Sequence, residues 1–300
     1  MLKKKMLISV IINCYNGEKY LKETLNSIKK QSYSNFELIF WDNKSTDNSK
    51  NIFLEYNDPR FKYFLSDIHT NLPTARNLSL KKVKGDLISF IDADDIWHER
   101  KLEEQAIFFA DTDVSAVFTD INTIDCNGKI LTRGKFSKFT NNLKWTNFFL
   151  KNFIVSFSSL IFRKDDVDNF DNNYHIIYDF DFVMKLSLRK KIIYLNKTLT
   201  SYRVHAKNES LLNKDLELTE KLQWIQNTEN INFFSQFKNF EYCKNDFFYS
   251  YCLNLYLKKV NISKIKNFFD NISWGKHKIK ILILFCLPFF LINALRKKRI

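Results

Sequence analysis

The sequence predicts an α/β protein built on a doubly wound, mainly parallel sheet with helices on both faces, followed by a helical extension. Three observations predict it. Apolar runs rich in β-branched and aromatic residues alternate with segments of helical spacing through the first part of the chain, the order that gives parallel strands joined by crossover helices. Polar and acidic residues gather where those apolar runs end, which is where ligands sit in open parallel sheets. Beyond about residue 210 the strand patterns stop, and segments rich in Phe, Leu, Lys and Asn take over.

The elements follow in order. LISVIIN (7–13) is an unbroken apolar run of the kind a strand buried on both faces requires. After Asn16 and Gly17, EKYLKETLNSIKKQ sets Leu21, Leu25 and Ile28 on one helical stripe with charges opposite. FELIFWD (36–42) reads as the second strand, STDNSKNIFLEY as a helix opened by cap-forming residues, and RFKYFL as the third strand. TARNLSLKKV gives a short helix and DLISFIDAD (86–94) a fourth strand. Between Val114 and Arg133 the pattern changes, and Asn127-Gly128 marks a hairpin turn. FIVSFSSLIFRK (153–164) reads as a strand, DFDFVMKLSLRK as a helix, and KIIYLNKTLTSYRVH as a strand leading into a loop. Residues 1–210 are thus expected to form the α/β domain and 211–300 a helical extension.

Composition removes several function classes. With 300 residues, 45% hydrophobic and 16% aromatic, and only 5 Gly and 3 Pro, the chain is neither disordered nor collagen-like. Five cysteines, odd in number and free of any CxxC pair, argue against a disulfide framework or a zinc ribbon and for a reducing compartment. The basic lead and apolar stretch of MLKKKMLISVIINC resemble a signal peptide, but the stretch is short and lacks a cleavage site, so it reads as the first strand. No GxGxxG or GxxxxGK[ST] follows that strand, which disfavours a dinucleotide fold or a P-loop.

The net charge of +14 would suit nucleic acid, a membrane surface or an anionic substrate. No RNP, zinc-finger or helix-turn-helix signature accompanies it, so no nucleic-acid partner is expected. At the C-terminal end, an apolar stretch from Ile281 to Leu295 lies between basic clusters. It is shorter than the roughly 20 apolar residues of a bilayer span and is interrupted by Pro288. An anionic membrane surface is the expected partner, with the alternative that this segment packs on the core.

The sharpest signal is FIDADDIW, where Asp92, Asp94 and Asp95 follow an apolar run. On an extended strand end, Asp92 and Asp94 would share a face roughly 7 Å apart, a spacing suited to one hard cation such as Mg²⁺ or Mn²⁺. Taken alone, the triplet more readily reads as helix capping, Asp94 or Asp95 capping the helix starting near His98 and Glu99 with Asp92 solvated.

Six segments together, ISVIINCYNGEKYLKETLNSIKKQSY, WDNKSTDNS, TARNLSL, FIDADDIW, YDFDFVMKL and YRVHAKNES, resemble family 2 glycosyltransferases of the GT-A fold, in order and approximate spacing, over residues 7 to about 210. The resemblance implies a nucleotide-sugar donor gripped by Tyr15, Asn16 and Asp42, with Arg76 near the phosphates and Asn77 near the same pocket. It makes FIDADD the DxD element: Asp92 and Asp94 would hold the donor and the metal, Asp94 as direct ligand. Asp179 would be the general base of an inverting displacement, with Asp181 as competitor, and Arg203 and His205 would close over the diphosphate and metal, His205 as metal ligand or phosphate contact.

Two positions depart from the family pattern. Tyr178 stands where a glutamate commonly precedes the base, and Asn13 where a proline follows the first strand. Cys14 has no evident base beside it, Asp47 reads as a helix-start residue, and His69, His98, His175 and His277 carry no assignment. The acceptor implied is a glycan or lipid-linked hydroxyl of a surface polysaccharide such as lipopolysaccharide or capsule, met at the inner face of the cytoplasmic membrane by a peripheral enzyme. The competing classes are a metal-dependent nucleotidyltransferase and a basic membrane or nucleic-acid binding module.

Overall fold

The computed structural model describes residues 5–134, 144–258, 265 and 268–286. The chain folds as two compact units, Met1–Trp145 with Ile154–Asn208, and Thr146–Phe153 with Glu209–Ile300.

The first unit is a mixed sheet with helical connections. Its elements are β1 (Ile8–Cys14), α1 (Glu18–Lys29), β2 (Phe36–Asp42), α2 (Ser49–Leu54), β3 (Phe61–Leu65), α3 (Leu72–Leu80), β4 (Leu87–Phe90), β5 (Ile96–Trp97), α4 (Lys101–Ala106), β6 (Val114–Ile124) and β7 (Ile130–Thr132). After α5 (Trp145–Phe149), which opens the excursion into the second unit, come β8 (Ile161–Arg163), α6 (Tyr178–Leu186) and β9 (Lys191–Arg203). The strand order is β3-β2-β1-β4-β8-β6-β9-β5, with β7 paired to β6. Pairing is parallel from β3 through β4 and again between β6 and β9, while β8 runs antiparallel to both β4 and β6.

The apolar run of β1 explains its central place. Ile8, Val10, Ile11 and Ile12 are all fully buried, and the strand is flanked by β2 and β4 in register, Cys14 opposite Asp42 and Ile11 opposite Phe90. Leu21, Leu25 and Ile28, the predicted stripe of α1, lie in the same core. The polar Ser9 survives in this strand because its hydroxyl donates to Glu37 Oε1 (2.6 Å) and accepts from Gly85 N–H (2.9 Å).

Three boundaries differ from the sequence reading. The fourth strand stops at Phe90 rather than Asp94; Asp95 N–H donates back to Asp92 O (3.2 Å), so the carboxylates occupy a tight turn and not an extended strand end. Of the stretch 153–164 only Ile161–Arg163 is strand, preceded by a 3-10 turn at Phe157–Ser159. The helix expected from Thr74 begins at Leu72, because Asn71 caps it by accepting from Thr74 N–H (3.1 Å) and Pro73 fits its first turn. At Asn127-Gly128 the expected hairpin turn forms, with Gly128 at φ +81°.

The second unit is helical: α7 (Glu209–Leu212), α8 (Lys214–Gln226), α9 (Thr228–Phe234), α10 (Phe240–Leu257) and α11 (Lys276–Cys286). Residues 146–153 are built into it, since Asn147 accepts from Asn239 N–H (2.9 Å) and its carbonyl accepts from Asn239 Nδ2 (2.7 Å). The expected tail segment from Ile281 to Leu295 lies outside the described residues beyond 286. Among the described residues no helix is long and apolar enough to cross a membrane.

Gly85 tests the close approach that brings β4 against β1. A Cβ there would meet Leu7 O at 2.6 Å and Ser9 N at 2.7 Å, both backbone atoms. Gly85→Ala should therefore lower stability by about 1–3 kcal/mol, read as a shift of the urea midpoint at unchanged slope.

Candidate active site

The carboxyl ends of β1, β2, β3 and β4 deliver the predicted ligand residues to one edge of the sheet. After β1 the chain turns sharply. Asn16 adopts φ +52°, a left-handed conformation that asparagine tolerates. Its Oδ1 accepts from Thr46 N–H (2.8 Å), its N–H donates to Ser45 Oγ (3.1 Å), and Gly17 N–H donates to Ser49 Oγ (3.0 Å). The loops after β1 and β2 are thereby latched together. Asp47 belongs to this latch, accepting from Glu18 N–H (2.9 Å) and Ser49 N–H (3.0 Å), which is the helix-start work expected of it.

Tyr15 stands half exposed above the latch, its ring centroid 4.0 Å from that of His69. His69 follows β3, and its Nδ1 lies 3.1 Å from Asn43 O, the geometry of an Nδ1–H donor. Sequence reasoning assigned His69 nothing. Its position a few residues past the third parallel strand, in the loop facing Tyr15, was the only available signal. Asp42 is 1% exposed; Oδ1 accepts from Ser45 N–H (2.7 Å) and Oδ2 from Tyr63 Oη (2.6 Å). Burial, the Asp42 hydrogen bond and its charge push the Tyr63 phenol well above its ordinary range. Cys14 is fully buried, and that burial pushes its thiol up to about 11, so it is no nucleophile.

The acidic turn after β4 is gripped by two arginines. Arg76, 1% exposed on α3, donates from Nη2 to Asp92 Oδ1 (2.9 Å). Aromatic rings surround its guanidinium, with centroids at 4.5 Å for Phe157 and 4.9 Å for both Phe90 and Tyr178. Cation–π contact partly replaces lost water, yet Nε and Nη1 have no hydrogen-bond partner. Tyr178, where the family pattern has glutamate, is thus one wall of the arginine box. Asn77 ties down the loop before α6, accepting from Phe170 N–H (2.7 Å) and donating to its carbonyl (2.9 Å).

Arg203, at the end of β9, is fully buried. Its Nε donates to Asp94 O (2.9 Å), Nη1 to the carbonyls of Asp125 and Cys126, Nη2 to Glu23 (2.8 Å), and its N–H to Asp95 Oδ1 (3.0 Å). The guanidinium is taken up by the protein itself, so it shapes the turn from behind. His205 does face the turn: Nε2 lies 2.8 Å from Asp94 Oδ2, and Nδ1 lies 3.2 Å from Lys207 N. Its ring stacks on Tyr20 at 5.1 Å.

Burial and the crowding of like charge raise the acids of this turn. Burial, then the Asp92 charge, raises Asp94, while His205 opposes the shift. Burial and the charges of Asp92 and Asp94 hold Asp95 well above the usual carboxylate range. Among the described residues, no three His, Cys, Asp or Glu side chains already form a metal cage. The donor set nevertheless suits a hard divalent cation. Asp92 and Asp94 would hold such an ion through carboxyl groups that stay partly exposed, oxygen donors of the kind a hard cation takes.

Asp179 opens α6, half-buried, with Oδ1 accepting from Phe180 N–H (2.7 Å). Desolvation pushes its carboxyl up to about 6; the Phe180 N–H and the Arg76 charge pull it down, and the Asp92 charge pushes it up. Asp179, Arg76 and Asp92 therefore share one electrostatic environment. Asp181, two residues on, is buried and ion-paired to Lys185 (2.9 Å).

The sequence profile of Glycosyl transferase family 2 matches residues 9–170. Among curated proteins, the chain is 35% identical over 130 residues to WfgD of Escherichia coli, a UDP-Glc:alpha-D-GlcNAc-diphosphoundecaprenol beta-1,3-glucosyltransferase. That match covers 43% of this chain and half the length of WfgD. A second Escherichia coli enzyme described in the same words, WfaP, is 31% identical over 220 residues, covering 71% of this chain and 82% of WfaP. Among solved structures, the mannosyltransferase PcManGT of Pyrobaculum calidifontis, in complex with GDP-Man and Mn²⁺, superposes with a TM-score of 0.63 at 14% identity, over 95% of this chain and 80% of that one. The last likeness speaks to the GT-A-like fold alone. With the profile spanning more than half of the chain and WfaP aligned over most of its length, this glycosyltransferase belongs to Glycosyl transferase family 2.

Proposed function

We propose that the protein is a metal-dependent, inverting glycosyltransferase. It would move a sugar from a nucleoside-diphosphate donor, a uridine diphosphate sugar foremost, to a hydroxyl of a lipid-linked glycan at the inner face of the cytoplasmic membrane. The observation that carries this reading is the turn after β4, where Asp92 and Asp94 keep partly exposed carboxyl groups and Asp179, raised to about 6 by burial, feels the charges of Arg76 and Asp92. The named activities of WfgD and WfaP support the donor and acceptor class.

Each group has a task in this scheme. The base of the donor would lie against the Tyr15–His69 rings, with Asp42 at its edge. Asp92 and Asp94, with His205, would hold Mg²⁺ or Mn²⁺, and Arg76 would set the Asp92 carboxylate. When bound, the cation supplies Lewis-acid stabilisation to the departing phosphate oxygen. Asp179 takes the acceptor proton as that oxygen attacks the anomeric carbon from the side opposite the diphosphate, and a single displacement inverts the configuration. Tyr178 in place of glutamate removes one anionic contact to the acceptor and gives the Arg76 box an aromatic wall instead.

Purified protein incubated with a panel of nucleotide sugars and a prenyl-diphosphate-linked sugar acceptor tests the reading. Transfer with release of nucleoside diphosphate supports it; release of pyrophosphate would assign nucleotidyl transfer instead. Asp179→Asn should cut kcat by about 10²–10⁴-fold while leaving donor affinity, measured by calorimetry, within experimental scatter. Chelation by EDTA should abolish transfer, and Mn²⁺ or Mg²⁺ should restore it in the parent but not in Asp94→Ala.

The pH dependence follows from the sign of the shift. A base must be ionised to act, so kcat/KM should fall about tenfold per pH unit below about 6. Because Arg76 holds Asp179 down, Arg76→Gln should move this acid limb to higher pH. The raised value also makes the ionised carboxylate a burden on the fold, so its stabilising contribution is present below about pH 4 and lost as pH rises through 6. Asp179→Asn should therefore melt higher than the parent at pH 7.5, an advantage that vanishes near pH 4.

A further inference from the structure

The second unit ends, within the described residues, in α11, and the two sides of this helix differ in kind. His277 and Ile281 are buried; the His277 ring packs 5.0 Å from Tyr242 and 5.8 Å from Tyr249, both on α10. The opposite side exposes Ile279 (51%), Leu282 (39%) and Ile283 (52%), a stripe at i, i+3 and i+4, and Trp274 just before the helix is 79% exposed. Beside that stripe stand Lys276, Lys278 and Lys280.

Helix stability does not account for the lysines. The first turn carries no acidic residue, and positive charge at a helix N-terminus opposes the macrodipole. Among the described residues no carboxylate pairs with any of the three; Lys278 and Lys280 lie instead over aromatic rings, Lys278 at 5.3 Å from Trp274 and Lys280 at 5.4 Å from Tyr249. An anionic plane would relieve this arrangement.

We propose that Trp274 and the outward side of α11 form a docking face for an anionic lipid bilayer, with the helix lying in the interfacial plane. The described part of α11, eleven residues or about 16 Å long, carries an apolar stripe with lysines beside it, the arrangement of a helix set at the headgroup boundary. Tryptophan favours that depth. Other occupants fit less well. A nucleic acid would engage the lysines and leave Trp274, Ile279, Leu282 and Ile283 wet. A second copy of a chain carrying +14 would set like charge against like, and lysine is depleted from protein interfaces. In sequence the same composition continues, LPFFLINAL at 287–295 followed by RKKR. The proposal deepens the lipid-linked acceptor reading above and is tested apart from it.

The test is flotation of the full chain with vesicles of phosphatidylcholine alone and of phosphatidylcholine mixed equally with phosphatidylglycerol. The parent should float with the mixed vesicles and much less with the neutral ones. Each lysine near a charged surface contributes about fivefold in partitioning, so K276Q/K278Q/K280Q should lower it by roughly a hundredfold and flatten its salt dependence. Ile279→Ser with Ile283→Ser should weaken binding while keeping the salt dependence. Transfer to a water-soluble acceptor analogue should be unchanged in both variants. Equal flotation of parent and triple variant, or equal binding to neutral and mixed vesicles, would overturn the proposal. So would a dimer in ultracentrifugation, or duplex RNA binding, that the triple variant abolishes while flotation persists. Loss of transfer in the parent with flotation intact would sink the catalytic reading and leave the docking face standing.

Discussion

Everything at the site depends on how three carboxylates are kept together at the end of β4. Asp92, Asp94 and Asp95 sit in one turn, and removal of such charges from water costs several kcal/mol per ion unless each finds a partner. The fold answers with the withdrawn guanidinium of Arg76 against Asp92, the His205 ring against Asp94 and the backbone N–H of Arg203 against Asp95. Arg76 takes the Asp92 carboxylate from the front. Arg203 braces the turn from behind, through the Asp94 carbonyl and the Asp95 carboxylate. Arginine suits both places, because it stays charged when buried and its donors fan out in a fixed plane.

That division of labour changes how the acidic element is understood. Asp95, fully buried and bound to the Arg203 backbone, belongs to the frame. Asp92 and Asp94 keep partly exposed carboxyl groups on the open side. The turn therefore separates a buried structural acid from two partly exposed ones over four residues. The cost of doing so surfaces in carboxyl groups of Asp94, Asp95 and Asp179 that burial, foremost, holds above their ordinary range.

Much of this was legible in the sequence, and the reasons are physical. β1, α1 and β2 announce themselves because both faces of the strands and one face of the helix are buried in a single core, which imposes period and composition together. The end of β4 was misread because Ile91, though past the strand, is buried like the strand residues before it. Apolar composition reports burial, and extended geometry has to be settled by hydrogen bonds. The start of α3 was readable from Asn71 and Pro73, whose cap chemistry is local. His69 and the inward task of Arg203 were not readable, because their meaning comes from partners far along the chain: Arg203 touches residues 23, 94, 95, 125 and 126. No periodicity carries such information.

The reach of Arg203 also sets an order of events in the making of the protein. Synthesis runs from the N-terminus at a few residues per second, so α1, the acidic turn and the β6–β7 hairpin have all left the ribosome before position 203 is made. Until then the acidic turn lacks the brace that Arg203 supplies to the Asp94 carbonyl and the Asp95 carboxylate. The parallel core can gather early, but the acidic edge sets when β9 arrives and its last residue locks segments laid down 180 and 109 positions before it.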